Sequence, residues 1–157
     1  MSDQKPPRLA TDERTTVLAL LQFQRDSMVR KVTGVGDESA RRQLVGSGTT
    51  LLWLVRHMAG AELRWVVNRF AGEDVEIVDE IDPGDTLADA VAAYRGTWAR
   101  VDAIVAATPS LEEHSRIDVG ATPVNLRWIL MHLLEETARH AGHADILREQ
   151  LDGDTGR

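Results

Sequence analysis

The sequence predicts an all-α fold, a four-helix bundle packed antiparallel in part with one long crossover permitted. Three observations carry this. Four long stretches place apolar residues at helical spacing. Connectors rich in Gly, Pro and Asp separate those stretches. Apolar–polar alternation at the strand period is nearly absent, and no strand–helix–strand alternation suggests a nucleotide-binding sheet.

Capping chemistry sets the expected boundaries. The first helix covers residues 11–32, TDERTTVLALLQFQRDSMVRKV, with Thr11 as N-cap and a stop at Gly34 and Gly36. DESARRQLVGSG is a connector with room for one short turn. The second helix covers 47–72, opening near Ser47 and closing at Gly72. An acidic loop, EDVEIVDEIDPGD, follows. The third helix covers 85–108, capped by Asp85 or Thr86, with Pro109 just past its end. Residues 112–120 read as extended, the best place for a short strand. The fourth helix starts at Thr122 as cap with Pro123 in the first helical position, where its missing N–H costs nothing, and ends at Asp152 and Gly153.

Composition bounds the function. A chain of 157 residues fits one domain over 1–157, with about residues 1–10 as a disordered lead. No apolar run reaches membrane-spanning length, and MSDQKPPRLA has no hydrophobic signal segment, so a cytoplasmic protein off the membrane is expected. A net charge of -7 argues against nucleic acid as a partner. There is no cysteine, which excludes disulfides, thiolate metal sites and a cysteine nucleophile. Any thiol chemistry needs a thiol from outside.

The informative stretch is HLLEETARHAGHAD, from His132. At about 100° per residue, Ile129, Leu133, Leu147 and Leu151 share an arc about 40° wide. Glu136 and His140 fall in or beside that arc, flanked by His132 and His143. A carboxylate on a buried face is costly unless it is paired or ligates a metal. Glu136 and His140 stand one turn apart and point the same way, so both can reach one cation. A third ligand must come from another helix. His57 is the candidate, in mid-helix beside the arc of Leu51, Leu54, Met58 and Trp65. Two histidines and a glutamate suit a zinc site with an open position, and equally a non-heme iron triad.

Plainer readings compete. A lone His57 is more often a satisfied boundary residue than a ligand. Glu136 and His140 can form a hydrogen-bonded couple with Arg139 or Arg56 nearby. Glu135 with Arg139 is simplest as a solvated ion pair. Trp53, Trp65, Trp98 and Trp128 fit core and boundary packing. His114 belongs on the surface. His143 and His132 are candidates for orienting the ligands from behind.

The stretches LLWLVRHMAGAELRWVVNRFAGED and NLRWILMHLLEETARHAGHADILREQLDGDTG resemble the DinB/YfiT-like superfamily. Within it they resemble an actinobacterial branch related to mycothiol-dependent maleylpyruvate isomerase and to bacillithiol and mycothiol S-transferases. The resemblance runs from about residue 15 to 156. It implies a four-helix bundle around a divalent metal, zinc foremost, with nickel or iron as alternatives. The family pattern has one histidine on the second helix and an H-x-x-x-H pair on the last. Here His57 takes the first place, Glu136 stands for the first histidine of the pair, and His140 keeps the second. The maleylpyruvate isomerase uses a similar histidine–glutamate–histidine set. His143 stands where many members carry glutamine. The resemblance further implies a metal-dependent transferase using a low-molecular-weight thiol and an electrophilic small molecule, with the metal's fourth position taking water at rest and thiolate in turnover. Arg56, Arg64 and Arg127 are open candidates for holding the thiol's polar tail. Alternatives are a non-catalytic metal-binding stress protein, a metal-dependent hydrolase, and a bundle with a merely hydrogen-bonded polar core. A homodimer through exposed helix faces fits the family.

Overall fold

The structure is a computed structural model that describes residues 4–155 apart from 119 and 121. Helix α1 spans Glu13–Val32, the short α2 spans Asp37–Ala40, and α3 spans Leu51–Glu62. Helix α3 continues without a break as a π-helical segment, Leu63–Phe70. Helices α4, Leu87–Ala107, and α5, Leu126–Asp152, complete the bundle. Residues 1–3 of the expected lead lie outside the described residues, and 4–10 run exposed without regular structure.

Caps explain where the helices begin. Asp12, not Thr11, caps α1: its carboxylate accepts from the Thr15 amide at 3.0 Å. Thr50 and Thr86 cap α3 and α4 in the same way. Helix α5 starts later than Thr122 and Pro123 suggest. Asn125 accepts from the Trp128 amide at 3.0 Å, and its own residue forms a lone antiparallel bridge with His114. That bridge holds residues 122–125 extended, so the helix cannot form until Leu126. It is also what the structure makes of the extended stretch expected at 112–120. Val119 within that stretch lies outside the described residues.

Polar contacts at the helix ends fix the directions. Arg127 at the start of α5 pairs with Glu13 at the start of α1. Near their ends Arg148 donates to the carbonyls of Lys31 and Thr33. So α1 and α5 run parallel. Arg14 donates to the Val105 carbonyl near the end of α4, so α4 runs the opposite way. Helix α3 does too: its start packs with the last turns of α1, and Val66, Val67 and Phe70 pack with Val17 and Leu21. Residues 72–86 are therefore the long crossover between two parallel helices.

Two apolar clusters stack along the bundle. One joins Met28 and Val32 to Leu54, Met58, Tyr94 and Leu147. The other joins Leu21 to Val66, Val101, Ile129 and Leu133. At the seam between them Arg25 and Glu62 form a fully buried ion pair, 2.5 Å, which Asp102 extends toward solvent at 2.9 Å.

The π segment corrects one expectation. A constant 100° per residue puts Trp65 on the inner face beside Met58. Hydrogen bonds of the i→i+5 kind, such as Ala71 N–H to Val66 C=O at 2.9 Å, delay the turn by one residue. Val66 and Phe70 point inward instead. Trp65 moves to the flank, where Arg69 lies 4.3 Å over its ring.

Candidate metal centre

Helices α3 and α5 face each other near mid-length, and there they bring together three of the residues singled out from sequence. His57, Glu136 and His140 each offer one ligand atom, and these atoms lie within 4.8 Å of one another. It is the cluster of metal-binding residue types found among the described residues. The rings of His57 and His140 meet edge to face at 4.9 Å. His140 Nε2 lies 3.4 Å from Glu136 Oε2.

The site sits at the rim of the core, not at its centre. All three residues are half-buried. The buried face of α5 runs through Leu126, Leu133, Thr137, Ala141 and Ala144. Small residues occupy its middle and let α1 approach closely. A pattern weighted toward leucine and isoleucine therefore aims the face slightly wrong.

Local contacts hold each ligand candidate. Trp53, one turn before His57, stacks on its ring at 4.6 Å with planes 10° apart. His57 makes no hydrogen bond among the described residues. Arg139 pairs with the other oxygen of Glu136, Oε1. The solvated pair expected between Glu135 and Arg139 is thus replaced: Arg139 takes Glu136, and Glu135 faces His132 Nδ1 at 3.9 Å. His143, exposed, turns its Nδ1 toward His140 Nδ1 at 3.3 Å.

Electrostatics keep both imidazoles neutral. Burial pushes the His140 pKa down to about 4, and coupling to His57, His143 and Arg139 adds to the fall. Burial also lowers that of His57, with Asp79 opposing and Arg64 and Arg139 adding to the fall. A neutral imidazole is the form that ligates.

These facts test the fit of a cation. The contact between His140 and His143 joins their two Nδ1 atoms, and in the tautomer where His140 is the donor its Nε2 carries a lone pair. That lone pair faces a carboxylate oxygen at 3.4 Å. Two acceptors opposed at that distance repel, and a cation between them removes the conflict. Ligand atoms around tetrahedral zinc with bonds of about 2.0–2.1 Å stand roughly 3.3 Å apart, so this pair already has the right span. The donor set fits a divalent metal.

Other sequence candidates fall elsewhere. His132 does not back the triad. It stacks on Trp128 at 4.9 Å and meets Trp65 edge-on at 4.8 Å, because the π segment has moved Trp65 to that flank. His114 is exposed. Arg127 is taken by Glu13 and Glu112, and Arg56 by Asp85. Arg64 alone of the three arginines acts on His57, and it is held by Asp79 at 2.6 Å. Sequence reasoning missed the site roles of Trp53 and Asp79. The i, i+4 spacing of Trp53 and His57 could have shown the first. Nothing in the acidic loop singles out Asp79.

Comparison with known proteins then decides the family. Residues 16–153 match the mycothiol-S-transferase family model. The chain belongs to the mycothiol-S-transferase family. A DinB-like protein from Bacillus cereus ATCC 10987 shares its fold, with a TM-score of 0.69 at 19% identity over 87% of this chain and 91% of the other. A conserved protein from Enterococcus faecalis does so with a TM-score of 0.66 at 16% identity, over 92% and 100%. No functionally curated protein matches the sequence. The bundle is thus a DinB-like one, and membership of this family implies a thiol cosubstrate.

Proposed function

We propose that the protein is a metal-dependent S-transferase that moves a mycothiol-type thiol onto an electrophilic carbon, with His57, Glu136 and His140 as the metal ligands. The observation that carries this is the three-residue donor set whose ligand atoms lie within 4.8 Å of one another, with His140 Nε2 3.4 Å from the Glu136 carboxylate. Family membership supports the thiol.

A divalent cation in the site, zinc foremost with nickel or iron as alternatives, supplies a Lewis acid that lowers the pKa of an arriving thiol. The protein's own groups do the rest. His57 and His140 present neutral nitrogen lone pairs, and Glu136 brings a negative charge that offsets the cation. His143, its Nδ1 3.3 Å from His140 Nδ1, is placed to hold the tautomer in which His140 Nε2 is free to ligate. Trp53 covers the His57 ring and keeps water from that side. In the transfer the thiol loses its proton to solvent, the sulfur lone pair forms the S–C bond, and the leaving group departs with the old bonding pair.

Two measurements test this. Elemental analysis of tag-free protein should find close to one divalent metal per chain. Turnover of 1-chloro-2,4-dinitrobenzene should require mycothiol. His140→Ala should abolish both metal and turnover, since a three-ligand site loses most of its affinity with one ligand gone. Metal with no thiol-dependent turnover of any electrophile would leave a metal-binding protein without catalysis. Hydrolysis without thiol would point to a hydrolase.

A further inference from the structure

Two cavities lie one residue removed from the triad, and their linings differ in kind. The first, about 210 Å³, is walled by Val45, Ile146 and Leu147, with His143, Ser47 and Thr49 at its polar edge. His143 ties it to the triad through its 3.3 Å approach to His140. The second, about 550 Å³, is lined by Arg41, Gln43, Thr50, Trp53, Asp79 and Glu80 among others. Trp53 ties it to the triad through the stack on His57. The connector of residues 43–50 is the wall between them: Val45, Ser47 and Thr49 line the first cavity, while Gln43, Gly48 and Thr50 line the second.

We propose that these cavities divide the two substrates of the transfer. The small cavity takes the electrophile, an uncharged molecule with a compact apolar or aromatic body. The larger one takes the carrier of the thiol, a neutral body rich in hydroxyl groups. This rests on the transferase reading given above.

The chemistry of each lining sets the class. Among the described residues no lysine, arginine or carboxylate lines the small cavity. An anionic electrophile entering it would lose its hydration with no fixed cation in return, a cost of several kcal/mol. Its volume falls below the roughly 300–1,000 Å³ of pockets that hold drug-sized ligands, so the body must be compact. Ile146 is 53% exposed, a large apolar side chain left open to water that such a ligand would cover.

The larger cavity offers donors on Arg41, Gln43 and Thr50, and acceptors on Gln43, Asp79 and Glu80. Hydroxyl groups both donate and accept, and so match a mixed lining. With Asp79 paired to Arg64 and Glu80 set against Arg41, the lining has no excess of positive charge to hold an anionic carrier. Arg41 is moreover held in place, donating to the carbonyls of Asp82, Pro83 and Asp85. The Asp79 carboxylate is fixed from the other side by Arg64. Trp53 adds a flat face on which a saturated ring can pack.

Binding of two unreactive probes to the full-length protein tests the assignment, read from amide shifts in ¹H–¹⁵N spectra. 1,3-Dinitrobenzene stands for the electrophile and S-methyl mycothiol for the thiol. The expected result is two separate footprints, around Val45 and Ile146 for the first and around Gln43, Trp53 and Asp79 for the second. Ile146→Glu should weaken 1,3-dinitrobenzene at least tenfold and leave S-methyl mycothiol unchanged. The paired change Gln43→Ala with Glu80→Ala should do the reverse. Both variants alter surface positions, and an unchanged spectrum elsewhere checks that they fold. A common footprint, binding of neither probe, or variants that weaken both alike would overturn the division. Metal content of the same samples reports separately on the transferase reading: metal with a shared footprint overturns only the division, and separate footprints without metal overturn only the metal-dependent chemistry.

Discussion

His140 keeps its imidazole neutral well into the acid range, and this makes the metal-free protein sensitive to acid. In an unfolded chain a histidine titrates near 6.5; in the fold His140 is pushed down to about 4 by burial and by coupling to His57, His143 and Arg139. Between those values the unfolded state binds more protons than the native one. The contribution to stability is therefore whole above about pH 6.5 and is lost as pH falls toward 4. In the metal-free protein the carbon-bound ring protons of His140 should shift with a midpoint near 4; a midpoint near 6.5 would mean that the ring is not enclosed as described. A second residue-scale expectation concerns the buried pair Arg25 and Glu62. Burial raises the Glu62 pKa while Arg25 opposes the rise. Glu62→Leu alone strands a buried guanidinium with only Asp102 and the Gln22 side-chain carbonyl to meet it, and should cost about 3–5 kcal/mol in urea unfolding. Arg25→Met together with Glu62→Leu should recover most of that loss. A double variant as unstable as the single one would contradict this. Sequence showed the triad but not this pair. Glu136 and His140 share one short motif, and His57 needed only a helix phase, whereas Arg25 and Glu62 lie in different helices and nothing local marks either as buried.

Helix boundaries show the same division between local and non-local signals. Thr86 could be read as a cap because it stands directly before the apolar pattern, and the structure places it there. Capping rules place the start of α5 too early, because the bridge from His114 to Asn125 joins positions eleven residues apart, which local rules cannot see. Asn125→Ala should accordingly cost about 1 kcal/mol, as loss of an N-cap does, whereas Thr122→Ala should leave the urea midpoint nearly unchanged. A period of 3.6 follows the inner face of the second long helix up to Met58 and fails from Trp65, where the π segment begins to turn the face. On the same helix Gly60 has a role of its own. A Cβ there would lie 2.3 Å from Asp79 Oδ1 and 3.2 Å from Ile77 Cγ2, so any larger residue must push these crossover side chains away from α3. Gly60→Ala should lower the melting temperature, and less so in an Asp79→Ala background, because the worst contact is then gone. Additive effects of the two changes, measured as a double-mutant cycle, would show that the crossover does not rest on Gly60 as described.

For the whole molecule, the polar groups form a waist between two apolar clusters. The Arg25–Glu62 pair occupies the interior of that waist and the His57–Glu136–His140 set its rim, with α3 contributing to both. A metal at the rim would join α3 to α5, two helices that belong to opposite directions of the bundle and are far apart in sequence. Such a ligand binds the native state and not the unfolded one, so it stabilises by mass action: about 2.7 kcal/mol when free metal is a hundredfold above its dissociation constant. For a domain of this size each kcal/mol moves the melting temperature by roughly 2–4 °C. Wild-type protein loaded with zinc should therefore melt about 5–10 °C above the chelator-treated form. Glu136→Gln keeps the shape of the side chain and removes its charge; it should bind metal more weakly, narrow that gap, and leave the chelated form folded. Glu136→Leu separates the two readings of the waist. If the triad is only a hydrogen-bonded polar patch, replacing Glu136 by leucine on a half-buried face should be neutral or stabilising, and chelator should shift neither protein. If the triad is a metal centre, the leucine variant should lose the zinc-dependent rise altogether while its chelated form melts at or above the chelated wild type. A wild type indifferent to chelator, beside a leucine variant more stable than it, would end the metal-centre reading.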